Sequence, residues 1–209
     1  MPIAQKFAPL NNGFRLPLVG YDATSVTEVD KTLLCVIDSG YRFLHCDADD
    51  GNSENQMEQL VDAGFVRSLG LSNFSRDQID RLIRFCNIKP VVLQMNSSIL
   101  TYDRELKDYA QSFGIQVIVN DTNSNQTPVE NAFLENEVVL KMAKNYLKNP
   151  YQILIRRAIQ RDLIVFCCST DPYRIRTNMS VSFTLVFEFE LSPDEMAKLD
   201  EVEESVHRQ

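Results

Sequence analysis

The chain has 209 residues, of which 44% are apolar, with 21 basic and 29 acidic side chains and a formal net charge of −8. This length suits one domain spanning residues 1–209, and the acidity argues against a nucleic-acid partner because no basic face is available to neutralise phosphates. No apolar run approaches the roughly 18 residues that a membrane span needs, so we expect no membrane association.

Short apolar runs alternate with helical periodicities along the chain. Ser75 precedes one helical pattern, and Ser192-Pro193-Asp194-Glu195 forms a capping box before another. In chain order the sequence predicts strand 16–20, helix 26–39, strand 42–47, helix 56–63, strand 66–72, helix 76–86, strand 91–95, helix 103–113, strand 115–120, a polar loop at 121–127, helices 135–147 and 151–160, strand 163–167 and helix 192–204.

This alternation of strands and helices is typical of a parallel sheet with crossover helices. Two α/β architectures fit it, a doubly wound sheet and a (β/α) barrel. The sequence contains neither G-x-G-x-x-G nor G-x-x-x-x-G-K-[ST], so neither nucleotide-binding fingerprint supports the doubly wound sheet.

Motifs in a fixed order carry a resemblance to one known family. The most specific stretch runs from Met57 to Gly64 and continues into Leu69-Gly70-Leu71-Ser72-Asn73-Phe74. The others are Leu10-Asn11-Asn12-Gly13 with Leu16-Pro17, Gly40-Tyr41-Arg42, Lys89-Pro90-Val91-Val92-Leu93-Gln94, Gly114-Ile115 and Phe189-Glu190-Leu191-Ser192-Pro193. Over almost its whole length the chain resembles the aldo-keto reductases of the aldose and aldehyde reductase type, which are NADP(H)-dependent (β/α)8 barrels that reduce carbonyl compounds.

The resemblance breaks between the second and fifth strands of that family. Asn55-Gln56 leads directly into the helix that precedes the family's fifth strand. A (β/α)8 barrel takes roughly 250 residues, so 209 leaves the chain one or two units short. We therefore expect an incomplete TIM-type (β/α) barrel of about six parallel strands with crossover helices. The third and fourth family strands are expected to be missing, through an apparent internal deletion near residues 54–57.

The resemblance implies four catalytic side chains, of which the sequence supplies no complete set. Asp50 stands in the place of the proton-donating tyrosine, and His45 in the place of the aspartate, unless a shifted alignment puts Asp47 there. The catalytic lysine and histidine belong to the missing strands. We therefore assign no catalytic residue.

The resemblance also implies a cofactor site for NADP(H), and part of it is kept. Asn120 replaces the aromatic ring that stacks on nicotinamide, Asp121 enters the pyrophosphate loop, and Cys168 replaces the lysine that faces the 2′-phosphate. The matching cofactor-binding positions are Ser72, Asn73, Gln94, Ser169, Arg174 and Asn178.

Cysteines and histidines provide no further site. The five cysteines lack the spacing of a disulfide framework or of a zinc site, so we expect reduced thiols and assign no metal. The first residues carry no apolar signal core, and a cytoplasmic location is expected.

Three functions follow from these features. The favoured hypothesis is an aldo-keto-reductase-like protein that is catalytically inactive because the tyrosine, lysine and histidine of the family are absent. The first alternative is a weakly active NADPH-dependent oxidoreductase that takes a small aldehyde or ketone. The second is a protein-binding pseudoenzyme that recruits a partner through exposed sheet edges. The alternating residues 181–189 are predicted to form an extended strap.

Overall fold

The computed structural model describes residues 7–22, 44–45, 61–62, 67–120, 127–167 and 186–208. The predicted helix at 26–39, most of the helix at 56–63 and the loop residues 121–126 lie outside this part. The elements are β1 (Phe7–Pro9), β2 (Arg15–Pro17), β3 (Val19–Asp22), β4 (Leu44–His45), β5 (Gly70–Ser72), α1 (Arg76–Phe85), β6 (Val92–Ser98), α2 (Arg104–Ser112), β7 (Gln116–Asn120), α3 (Pro128–Leu134), α4 (Glu137–Tyr146), α5 (Pro150–Gln160), β8 (Leu163–Cys167) and α6 (Pro193–His207).

Within the described residues, six strands form one parallel sheet in the order β4-β3-β8-β7-β6-β5. The register pairs Ser72 with Gln94, Gln94 with Ile118, and Ile118 with Ile164. Helices connect the strands from β5 to β8, as parallel pairing requires. The predicted α/β class and its parallel sheet are confirmed.

Apolar side chains pack on both faces of this sheet. Leu93, Val117 and Leu163 belong to the large core between the sheet and the helices. Ile118 and Ile164 face the other way and form a smaller core with others. Successive side chains of a strand point to opposite faces, so neighbouring residues of the same strand belong to different cores.

The predicted strand 16–20 is two elements. Its first part, β2, pairs antiparallel with β1, whereas Val19 pairs in parallel with Val165 of β8. The division follows from Pro17, which has no backbone N–H to continue a ladder. The turn between β1 and β2 uses Gly13 at a φ of 85°, a conformation that favours glycine.

Local capping groups set the helix starts. Ser75 caps α1 as predicted and also forms a capping box with Gln78, and Ser192 forms the predicted capping box with Glu195; a cap is worth about 1 kcal/mol. Thr127 forms another with Glu130, and it begins α3, a helix that the sequence analysis did not predict. The predicted helix 135–147 begins only at Glu137, because Asn136 caps it.

The predicted extended strap is wrong in its described part. Residues 181–185 lie outside that part, and a turn follows at Phe187 and Glu188. Val186 is fully buried, and Phe189 packs on Tyr146 with 4.9 Å between the ring centroids. The Tyr146 hydroxyl donates to Glu195 Oε2 at 2.6 Å, and this bond with burial raises the pKa of Tyr146 to about 12. Packing of these rings against α4 therefore overrides the alternating pattern.

A buried carboxylate joins α6 to two other helices. Glu203 is bonded by Arg104 of α2 and Arg157 of α5, and Arg161 Nη1 lies 3.4 Å from its Oε2. Arg157 Nη2 also lies 2.7 Å from Asp200 Oδ1. Burial alone would raise the pKa of Glu203, but its arginine partners outweigh burial and hold that pKa below the ordinary value.

Replacing this carboxylate is expected to loosen α6. Glu203→Gln leaves the buried Arg157 without its full counter-charge, so the free energy of unfolding should fall by about 3 kcal/mol or more in urea titrations. Glu204→Gln is the matched control, because among the described residues Glu204 pairs with the exposed Arg208 alone, and it should cost less than about 0.5 kcal/mol.

The same pair of variants tests the pKa of Glu203. A carboxyl whose pKa is lower in the folded state contributes stability above its unfolded pKa, and that contribution disappears as pH falls through the folded value. The stability difference between the wild type and Glu203→Gln should therefore shrink on acidification below about pH 4.5. A difference that stays constant with pH would contradict this account.

Leu147 ends α4 in a left-handed conformation, with φ 55° and ψ 40°, and its side chain is 90% exposed. A β-carbon is strained in this conformation, so Leu147→Gly should raise the free energy of unfolding by about 1 kcal/mol. Leu147→Ala removes the same exposed side chain but keeps the β-carbon. Equal effects of the two substitutions on the melting temperature would show that the backbone conformation is not the cause.

Candidate functional site

The carboxyl ends of β5 and β6 bring together three of the residues singled out by sequence. Ser72 ends β5, Asn73 follows it, and Gln94 lies opposite Ser72 on β6. Ser72 Oγ donates to Gln94 Oε1 at 2.7 Å, and the Asn73 backbone N–H donates to the Gln94 carbonyl at 2.8 Å. Gln94 is only 7% exposed, so its side chain is held in one place.

Asn73 adopts a left-handed conformation, with φ 56°. Asparagine tolerates this region better than most residues. Its Oδ1 accepts from the backbone N–H of Asn96 at 2.6 Å, which ties the loop after β5 to the end of β6. The carbonyl side of this amide is therefore engaged within the protein.

These bonds leave a defined set of polar atoms for a ligand. The carbonyl oxygens of both amides are engaged, so Gln94 Nε2 and Asn73 Nδ2 are the atoms that can donate, and no described residue accepts from them. Ser72 Oγ donates its proton to Gln94 and keeps lone pairs that can accept. Two donors beside an acceptor are complementary to a neutral primary carboxamide.

The next strand extends the polar surface with Asn120. Its Nδ2 approaches Asn96 Oδ1 at 3.5 Å, across an irregular register between Met95 and Ser98. Asn120 Oδ1 is buried and has no hydrogen-bond partner among the described residues. An unmet buried acceptor costs about 1–3 kcal/mol, so a ligand N–H that reached this oxygen would recover that cost.

The remaining predicted site residues lie outside the described part of the chain. These residues are Ser169, Arg174 and Asn178. Asp50, which stands in the place of the family's tyrosine and was not assigned as catalytic, also lies outside it, and for His45 only the backbone of β4 is described. Sequence reasoning missed Asn96, although a polar run directly after a buried strand marks the carboxyl edge of a sheet where ligands bind.

The described residues hold no group of three or more His, Cys, Asp or Glu side chains that could bind a metal ion. In the same part of the chain, none of the helices is both long and apolar enough to cross a membrane. At the carboxyl ends of β5, β6 and β7, the polar side chains that bond one another are amides and a hydroxyl, which can act on a ligand by hydrogen bonding.

Comparisons with known proteins agree on one family. The model of the Aldo/keto reductase family matches residues 43–204. Aldo-keto reductase family 1 member A1 of Sus scrofa is 37% identical over 149 residues, and that of Homo sapiens is 36% identical over 149 residues. Each match covers 69% of this chain, and it spans 44% of the length of the relative.

Two solved structures share the fold. An aldo-keto reductase enzyme from a Medee basin deep-sea metagenome library superposes with a TM-score of 0.79 at 21% identity, covering 94% of both chains. The aldose reductase from Schistosoma japonicum gives a TM-score of 0.73 at 23% identity, covering 94% of this chain and 91% of its own. Both show a TIM-type α/β fold for this chain.

The bond between Ser72 and Gln94 can be tested by a double-mutant cycle. Ser72→Ala removes the donor to Gln94 Oε1 and should lower the free energy of unfolding by about 1 kcal/mol. The double variant with Gln94→Met should cost less than the sum of the two single substitutions. Each single substitution leaves one polar group without its partner, whereas the double variant removes both groups. Strict additivity in urea titrations would contradict the bond.

Proposed function

Because this chain belongs to the aldo/keto reductase family, we propose that it is a reductase-like barrel that binds the nicotinamide end of NADP(H) without reducing carbonyl compounds. The binding half of this proposal rests on one observation, the hydrogen-bonded arrangement of Ser72, Asn73 and Gln94. The inactive half rests on the sequence.

The described residues fit the carboxamide group of nicotinamide. Gln94 Nε2 and Asn73 Nδ2 would donate to its carbonyl, and Ser72 Oγ would accept from its amide. Asn120 Oδ1, the buried acceptor on β7, would accept a further N–H. When bound, the nicotinamide ring supplies hydride-transfer chemistry. The residues of this chain orient that ring through hydrogen bonds, and Asn120 provides no aromatic surface on which it could stack.

Loss of the general acid supports the inactive half. A positioned acid typically contributes about 10²–10⁴-fold to such reactions, and the sequence has no tyrosine between Tyr41 and Tyr102 to serve as one. Asp50 would have to stay protonated near neutral pH to replace it. The neighbouring Asp47 and Asp49 favour protonation, but solvation of this polar run opposes it.

A shortened barrel explains the loss of the catalytic lysine and histidine. In the described sheet, β4 and β5 lie at opposite edges, although only residues 46–69 separate them in the chain. Two further strand–helix units would need roughly 60 residues at the usual size of a (β/α)8 barrel. We infer that the third and fourth family strands are missing, through a deletion near residues 54–57.

The position of β4 and β5 as the outermost described strands also favours a second candidate function. A strand edge offers backbone donors and acceptors to an added strand, so a protein partner could pair there. Pull-down from a lysate, with bound proteins identified by mass spectrometry, tests this candidate. A folded, monodisperse chain that captures no partner would count against it.

Thermal melting with NADPH tests the binding half. At about 100 times the dissociation constant, a ligand adds about 2.7 kcal/mol, which for a chain of this size raises the melting temperature by roughly 5–10 °C. Gln94→Met should reduce this shift strongly. Gln111→Met is the matched control, because Gln111 lies beside the amino end of the sheet and bonds the Asp162 carbonyl.

Assays of NADPH oxidation with a panel of aldehydes test the inactive half. We expect no turnover above background in wild-type protein. Turnover that Asp50→Ala abolishes would establish a weakly active reductase instead. A cooperative melt that NADPH does not shift would refute the binding half and leave the inactive half standing.

A further inference from the structure

A cavity of about 320 Å³ lies at the amino ends of β5 and β6, the end opposite to Ser72 and Gln94. One wall is the β1–β2 hairpin, and the other is the segment that leads into β5. The rim carries Phe14, Arg15, Arg67 and Ser68, and Leu10 and Val91 are among the apolar residues that line it. Its volume lies at the lower end of the range of about 300–1,000 Å³ that small-molecule sites occupy.

Hydrogen bonds fix the two walls to each other. Asn12 Nδ2 donates to Ser68 Oγ at 2.8 Å, and Asn11 Nδ2 donates to the Pro90 carbonyl at 2.8 Å. The Val91 backbone N–H donates to the Leu69 carbonyl at 2.8 Å. The cavity is therefore formed before any ligand arrives, which lowers the entropic cost of binding.

The rim of the cavity offers hydrogen-bond donors, two of which are positively charged guanidinium groups. Arg15 and Arg67 are both exposed, and neither has an ion pair with any residue in the described ranges. Ser68 Oγ accepts from Asn12, so its own proton remains able to donate. Two guanidinium groups therefore lie beside one cavity in a chain with a net charge of −8. Such groups bind carboxylates through paired N–H donors.

Apolar residues line the rest of the cavity. Leu10 is 8% exposed and Val91 is 3% exposed, so both are held in place by the core. Phe14 at the rim is 49% exposed and presents part of its ring to solvent. A ligand that fits must therefore join an anionic group to an apolar body.

We propose that this cavity binds a small aromatic carboxylic acid, whose carboxylate is held by Arg15, Arg67 and the Ser68 hydroxyl and whose ring lies against the more exposed apolar lining residues Phe14, Leu16 and Val92. The cavity and the carboxamide-binding residues lie at opposite ends of the sheet. The inference therefore does not depend on the proposed function.

Titration of the full chain with benzoate, followed by backbone amide NMR, tests the proposal. We expect a dissociation constant on the order of millimolar for so small a ligand, with the largest shifts at Phe14, Arg15 and Ser68. Arg15→Met and Arg67→Met should each weaken binding about tenfold, because each removes charged N–H groups that donate to the carboxylate. Arg84→Met is the matched control, since it removes the same charge from α1 and should leave benzoate binding unchanged.

Two further ligands test the contributions of the carboxylate and of the ring separately. Benzamide has the same shape without the charge and should not bind measurably. Inorganic phosphate carries charge without the ring and should bind at least tenfold more weakly than benzoate. The proposal is overturned if benzamide binds as benzoate does, if phosphate binds equally well, or if Arg84→Met weakens binding as much as Arg67→Met. Thermal melts of the variants confirm that each remains folded.

Discussion

Parallel pairing between β5, β6, β7 and β8 determines which side chains meet at each end of the sheet. Ser72, Gln94, Ile118 and Ile164 are direct partners across these four strands, so a hydroxyl, an amide and two branched apolar side chains share one layer. A shift of one residue in any strand would turn its members toward the opposite face. Gly70 strengthens this constraint, because a β-carbon there would lie 2.6 Å from a methyl group of Val92.

Features set by neighbours in sequence were predictable, whereas features set by distant segments were not. Ser75 and Ser192 were identified as helix caps because a cap needs only the residues that follow it. Thr127 has the same local chemistry, but it ends a polar run that is typical of a loop, and so α3 was missed. Glu203 resembles the other acids of a solvated helix. Its burial depends on Arg157 of another helix, and no local pattern carries that information.

Sequence motifs predicted which residues lie together at the carboxyl end of the sheet but not at its amino end. At the carboxyl end, family motifs indicated that Ser72, Asn73 and Gln94 act together, and they do lie in contact. The left-handed backbone of Asn73 and its bond to Asn96 follow from the folded loop. At the amino end, no motif links the hairpin to the segment before β5. Only the folded chain brings Arg15 and Arg67 to the same cavity.

The hairpin also has a consequence for how the chain reaches its native state. The Pro9 carbonyl accepts from Gln116 Nε2 at 3.3 Å, across 107 residues of sequence, and Ala8 packs in a core with Ile164. At synthesis rates of about 5–20 residues per second, Gln116 leaves the ribosome roughly 5–20 s after Pro9. Until Ser68 and Pro90 are made, none of the described hydrogen-bond partners of the hairpin outside the hairpin itself is available, and an isolated two-stranded hairpin is marginally stable in water. The segment that closes the amino end of the sheet is thus made early and buried late.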